Sequence, residues 1–353
     1  MKTTLKNLAR LTSLIGFIFG LMAFSLTAQA DAPHEIDSLY IGDAGDNTVK
    51  RFNAKTGEYL GNFVTLGSGG LDGPRGLIFT QGQLFLANQN VDQDFAGEIL
   101  RYRSDTGVFL SALVPCNPPL GRICDPKAPF APRGLIRGSG RTLYVADHDG
   151  GNVAQYDLDT GNWLGNLDTT GFSGPFFPRG IVRGPDDLLY VSVTALPAGD
   201  SLAGYVLRFN AQTGKFVDVF TSNLVSASNP VSRCADLHRP EGLVFGPDNK
   251  LYITSFRANS EDTDKVLIVD GKTGECIDKI DLDQVGGQRA FAQALLFGPE
   301  KRLFVPINST GEVRRYNVKT KHFDVFVPAG GYLQLPEYLS FRKTDPRTLE
   351  YDD

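Results

Sequence analysis

Six copies of one short pattern divide this chain, and that repetition limits the possible folds more than any other feature of the sequence. Each copy opens with Pro-x-Gly and then apolar residues: Pro74-Arg75-Gly76, Pro132-Arg133-Gly134, Pro178-Arg179-Gly180 and Pro240-Glu241-Gly242. Degenerate versions stand at Ala292-Gln293-Ala294 and Pro336-Glu337-Tyr338. A second run, such as Leu39-Tyr40-Ile41, Leu84-Phe85-Leu86 or Leu143-Tyr144-Val145, carries the aromatic and β-branched residues that favour strands. A third strand runs into Thr-Gly, as at Thr56-Gly57, Thr160-Gly161 and Thr213-Gly214, and a fourth starts directly after it. Four strands recurring at roughly 45–60 residues without helical spacers predict an all-β, six-bladed β-propeller with four antiparallel strands per blade. The chain enters the pattern at a second strand, Leu39-Tyr40-Ile41, and leaves it on an unaccompanied first strand around Leu339–Phe341. One blade must then join both termini, which leaves no open edge in the ring.

Ahead of the repeat, Lys2, Lys6 and Arg10 precede an apolar run from Leu14 to Leu26 and then Ala28-Gln29-Ala30, the small-x-small form that signal peptidases cut after. Residues 1–30 read as a signal peptide and 31–353 as a single propeller domain, because the apolar run is shorter than the roughly 20 residues a membrane span requires. The expected product is secreted or periplasmic, with no membrane span after cleavage. Removing three positive charges takes the formal net charge from -5 to -8. A balance this acidic argues against a nucleic-acid partner. Four cysteines in an oxidising compartment suggest disulfides rather than a metal site. Cys116 and Cys124 enclose a short Pro-rich loop and form the favoured pair, which leaves Cys234 with Cys276 among three possible connectivities.

The strand motifs, Leu-Tyr-Ile-Gly-Asp at 39–43 and Leu-Tyr-Val-Ala-Asp at 143–147, and Asn47 and Asn152 before the third strand, resemble those of NHL-type six-bladed propellers. Gluconolactonase-like and strictosidine-synthase-like proteins and virginiamycin B lyase share that fold. The resemblance covers 31–353 and implies the fold more than any chemistry, since one propeller scaffold hosts unrelated functions. Virginiamycin B lyase-like proteins place histidines at Pro-x-Gly for base chemistry near a divalent metal, and none of the six positions here is histidine. Gluconolactonase-like proteins bind calcium through Glu, Asn and Asp at equivalent inner-strand starts. Arginine at three of these positions would repel a cation, so calcium or magnesium is left a place only around Glu241, Glu337 and Gln293.

Loop lengths point to a working face. Turns from first to second strand, such as Gly184-Pro185-Asp186-Asp187, and the Thr-Gly turns are tight, whereas Pro115–Phe130, Thr194–Gly204 and Ser222–Arg239 are long and share the opposite face. The x of Pro-x-Gly opens each inner strand on that long-loop face. Arg75, Arg133, Arg179, Glu241, Gln293 and Glu337 are therefore expected to ring the channel mouth, with Asp43 and Asp147 close by at second-strand ends. Three planar guanidiniums suit a carboxylate, phosphate or sulfate. The same residues could instead pair with Glu241, Glu337, Asp43 and Asp147 and plug the channel. Full pairing would remove the site; an unpaired guanidinium would support it.

Among the histidines, His148 in Asp147-His148-Asp149 lies on the working face and could carry a proton. His238 also points there, whereas His34 and His322 fall at the N-terminus and a tight-turn face. Asp43-x-x-Asp46-Asn47 and Asp147-x-Asp149-x-x-Asn152 resemble oxygen-ligand spacings but lack the following glutamate, and they suit Asx turns better. No nucleophile elbow, phosphate loop or zinc motif occurs. Two functions fit: capture of a small polar or anionic molecule, or of a partner protein, at the channel mouth; or a lyase or hydrolase with Glu241 or Glu337 as base, Arg133 and Arg179 stabilising an oxyanion, and His148 as acid.

Overall fold

A computed structural model describes residues 37–91, 96–116, 127–194, 203–224 and 232–352. Six four-stranded antiparallel sheets form a ring, as the repeat predicts. Blade one combines β24 (Pro336–Phe341) with β1 (Ser38–Asp43), β2 (Thr48–Asn53) and β3 (Tyr59–Val64). The C-terminal strand is its inner strand, in the register Leu39↔Phe341, Tyr40↔Ser340 and Ile41↔Leu339. Blades two to six follow in chain order, with inner strands β4 (Pro74–Thr80), β8 (Pro132–Arg137), β12 (Phe177–Arg183), β16 (Pro240–Phe245) and β20 (Leu296–Gly298). The inner strand of blade six is short. Its sequence lacks Pro-x-Gly, and Phe291 ahead of it takes a positive φ of 49°.

The second-strand aromatics join the blades. Tyr40 packs on Phe79 of the next blade with centroids 4.5 Å apart, Tyr190 on Phe245 at 4.9 Å and Tyr252 on Phe297 at 5.0 Å. Phe304 meets Phe341 at 4.9 Å, so the closing interface repeats the contact used elsewhere in the ring. Each such pair contributes about 0.5–1.5 kcal/mol beyond the area it buries.

Tight turns follow from local chemistry. The Asn53 side-chain oxygen accepts amides from Lys55 at 2.9 Å and Thr56 at 3.1 Å, and Gly57 at φ 75° closes the turn. A Cβ at Gly57 would strike the Phe326 carbonyl of the preceding blade, so the turn requires glycine for space as well as for conformation.

Every Pro-x-Gly start is a β-bulge. Pro74 faces Asn88 and Leu77 faces Leu86, leaving Arg75 and Gly76 opposite a single residue, and the same shift follows Pro132, Pro178 and Pro240. Bulges turn a side chain away from the regular alternation. The glycines let the inner strands converge: a Cβ at Gly76 would lie 2.6 Å from the Arg133 carbonyl, and one at Gly180 would lie 2.7 Å from the Glu241 carbonyl.

In the last copy that glycine is Tyr338, which lines the channel together with the five small residues of the other copies. A channel of about 50 Å³ remains between these glycines, the leucines that follow them, and Leu349. Leu349 comes from the C-terminal tail, where the Pro346 and Arg347 carbonyls accept amides from Arg137 at 2.7 Å and Arg183 at 3.2 Å. It packs against the hydrophobic clusters of all the blades and closes the channel on the tight-turn face.

Cys234 and Cys276 form a disulfide with Cα atoms 4.9 Å apart, as the remaining-pair expectation had it. The expected Cys116–Cys124 pair falls on Cys124, outside the described residues, as do the signal peptide and His34. No helix among the described residues is long and apolar enough to cross a membrane.

Candidate functional site

Five of the rim residues sit on bulges and Gln293 just ahead of its strand, and their pairings are unequal. Arg179 holds Glu241 through both carboxylate oxygens, at 2.9 and 3.1 Å. Arg75 faces Glu337 at 3.3 Å and donates to Gln89 at 2.8 Å. Arg133 reaches across the ring to Gln293, whose amide oxygen accepts at 3.0 Å, and has no carboxylate partner among the described residues. Three guanidiniums thus meet two carboxylates. The plug predicted as an alternative is built on two of the three arginines, and the third has no direct ion pair among the described residues.

Burial strengthens these interactions. Glu241 is 2% exposed and Glu337 5%. Desolvation lowers the pKa of Arg75, with Glu337 opposing the shift, and lowers that of Arg179, with Glu241 opposing it. Burial raises the Glu337 carboxyl above the usual carboxylate range even though Arg75 and Arg133 pull it down. One Glu337 oxygen takes Arg75 and the Asn308 amide at 3.2 Å, and the other has no hydrogen-bond partner. The Tyr338 hydroxyl, directly beneath in chain order, is also buried without a partner, and its pKa is raised by burial. Tyr338, Asn308 and Gln89 were not singled out from sequence; the one available signal was a tyrosine where every other copy has Gly or Ala.

Asp43 and Asp147 lie at the expected strand ends but serve the backbone. Asp43 accepts the amides of Gln334 and Leu335, each at 2.8 Å, and its cation is the buried Lys50 ammonium at 2.5 Å. Lys50 also reaches Asp46 at 2.6 Å, so an ammonium sits between the two aspartates that resembled oxygen ligands. Asp147 accepts amides from Ala131 at 2.7 Å, Phe130 at 2.9 Å and Gly150 at 3.3 Å. Asn88 does the same for Asp72, and Ser255 for His238. These four second-strand residues anchor the links that lead into Pro336, Pro74, Pro132 and Pro240, whereas Val193 stands opposite Pro178.

His148 is buried beside the rim, with Nδ1 2.9 Å from Asp149 and Nε2 3.5 Å from the Thr194 hydroxyl. Burial first, then the charges of Arg179 and Arg133, push its pKa down to about 2. A neutral imidazole keeps one N–H but is a very weak acid, which weakens a general-acid role. In the unfolded chain His148 gains a proton below about pH 6.5. The stability associated with its neutral form is therefore present above that pH and lost as pH falls, at up to about 1.4 kcal/mol per pH unit. His148→Gln is expected to flatten the acid limb of a stability-versus-pH curve between about pH 6.5 and 4, measured by urea unfolding. Parallel curves for the two proteins would refute that burial. His238 lies apart, 3.8 Å from Asp262, and His322 is exposed.

The carboxylates that could hold a divalent cation face guanidinium groups instead. Among the described residues no group of three or more His, Cys, Asp or Glu side chains is placed to hold a metal.

No family model and no curated protein sequence matches this chain. Solved structures do. A chain of a nidogen/laminin complex aligns at TM-score 0.61 and 15% identity, over 86% of this chain and 98% of that one. Virginiamycin B lyase from Staphylococcus aureus, a catalytically inactive variant crystallised with quinupristin, aligns at TM-score 0.51 and 15% identity, over 86% and 89%. A candidate 6-phosphogluconolactonase from Bacteroides fragilis aligns at TM-score 0.53 and 14% identity, over 88% and 99%. The chain is a six-bladed β-propeller. At these identities the likeness is one of fold, so the work of the propeller has to be argued from its own rim.

Proposed function

We propose that this propeller is an exported protein that captures a small polar anion at the long-loop mouth of its channel. The observation that supports this is Arg133. Folding pairs Arg75 and Arg179 directly with carboxylates, whereas the one hydrogen bond of Arg133 among the described residues goes to a neutral amide. Its attraction to Glu337 acts without a direct ion pair, and Arg75 and Arg179 repel it. A guanidinium without a direct ion pair near other cations costs stability, so its presence is better explained by a ligand that completes the set. One surplus positive charge matches a single carboxylate, or one edge of a phosphate or sulfate. Export fits the leader sequence at 1–30 and the Cys234–Cys276 disulfide.

A second reading, a lyase or hydrolase of the virginiamycin B lyase or gluconolactonase kind, draws on Glu337. Its free oxygen and raised pKa suit it as a buried proton acceptor. The solved neighbours give precedent for both classes on this fold, since their names include a lyase, a lactonase and a laminin complex. A thermal-shift panel of organic carboxylates, phosphate, sulfate, sugar lactones and divalent metals separates the two. Stabilisation by an anion that disappears in Arg133→Ala, with a melting temperature for the free variant no lower than that of the parent, is the expected result. A shift with calcium or magnesium alone would favour the enzyme instead.

A further inference from the structure

Outside the channel, the six blades repeat a second contact. The first residue of each outer strand follows the tight turn and stands at Tyr59, Phe109, Trp163, Phe216, Cys276 and Phe323. The link from the preceding blade covers five of them. Tyr332 stacks on Tyr59 at 3.8 Å, and Gly69 lies against the Phe109 ring. The Lys127 ammonium sits 4.1 Å over Trp163, Phe172 lies 5.8 Å from Phe216, and Cys234 is bonded to Cys276. Four different side chains and one glycine backbone cover this quasi-equivalent position in five blades.

At Phe323 the cover is missing. The link between blades five and six, whose residues are all described, forms the walls of a groove of about 440 Å³ with Phe323 in its lining, and does not fill it. The groups on Phe323 come from its own blade, Tyr316 at 5.1 Å and the Arg314 guanidinium at 4.8 Å, and the ring is 46% exposed. A volume of this size lies within the usual range for small-molecule sites, about 300–1,000 Å³.

We infer that this groove is a second ligand site, for a neutral pyranose ring. Among the described residues the groove holds no free cation for an anionic ligand, since both of its guanidiniums are paired. Arg314 is held by Glu312 at 2.6 Å and by the Leu282 carbonyl at 2.5 Å. Arg289 is held by Asp264 at 2.7 Å, and Asp281 by the Thr263 hydroxyl at 2.6 Å. Asp283 accepts amides from Ala290 at 2.9 Å and Asp264 at 3.1 Å, and keeps lone pairs for further donors. The Ser309 hydroxyl is buried with no partner. What the groove offers is an aromatic surface, carboxylate acceptors and the Gln288 amide, with both of its guanidiniums already paired. A sugar ring has the complementary parts: a flat C–H face for Phe323 and hydroxyls that donate and accept around its edge. It would also supply the packing that the other five blades obtain from their own links.

The test uses the isotopically labelled, disulfide-bonded protein, titrated with methyl glucoside, methyl galactoside, methyl mannoside and N-acetylglucosamine to about 50 mM, where even millimolar affinity saturates. One of them is expected to give saturable shifts confined to the surroundings of Phe323 and Ser309. Ser309→Trp, which fills the groove, should abolish them, Phe323→Ala should weaken binding about 10-fold or more, and Arg133→Ala should leave it unchanged. The inference is overturned by the absence of saturable shifts with all four sugars, or by shifts that persist undiminished in both groove variants. Since the Arg133 variant reports on the channel mouth alone, the two sites succeed or fail separately.

Discussion

A chain ending at Leu335 is expected to show no cooperative thermal transition. The missing segment, β24, supplies the inner strand of blade one, and with it the pairing along β1 from Leu39 to Asp43. Tyr338, Leu339 and Phe341 leave the core, each worth about 1.5–3 kcal/mol of burial. Phe304 loses Phe341, Tyr351 goes with the tail, and Leu349 no longer closes the channel. Together these losses approach the total stability of a typical domain, about 5–15 kcal/mol. Circular dichroism melts of the full and shortened chains check this. A cooperative transition within about 5 °C of the full chain would show that closure contributes little.

Glu241→Ala should be the most damaging single substitution at the rim. It strands the Arg179 guanidinium, a side chain only 12% exposed, beside Arg133 and without its carboxylate. Breaking a buried pair from one side costs about 3–5 kcal/mol, or roughly 4–8 °C in melting temperature for a domain of this size. Replacing both partners, as Glu241→Leu with Arg179→Met, should recover most of that loss, because no charge is then left buried. If the single and double variants melt together, the pair is not coupled as the distances imply.

These effects follow from features that differ in how visible they are in the sequence. The blade count, the closing strand and the six rim positions were legible because each rests on a local pattern repeated many times, and Pro-x-Gly is both the strand start and the bulge that turns x inward. The pairings were not legible. Arg133 and Gln293 meet across a ring, and nothing in their separation along the chain distinguishes that partner from Glu241 or Glu337. Asp43 and Asp147 were placed at the right height but given the wrong neighbours, because strand position does not tell whether a carboxylate faces a channel or a backbone amide of the incoming link. Tyr338 looks like erosion of the motif, yet it lines the channel beside the Gly and Ala of the other copies. Leu349 belongs to no repeat and could be found only in three dimensions.

The central claim is that Arg133 carries the charge that binds a ligand while Arg75 and Arg179 hold the fold. Side-chain nitrogen NMR of the arginines during titration with the best-stabilising anion measures this directly. The account predicts a saturable shift of the Arg133 guanidinium resonance, with those of Arg75 and Arg179 nearly still, and a loss of affinity of about 10-fold or more in Arg133→Ala. Equal movement of all three resonances, or unchanged affinity in the variant, would contradict it.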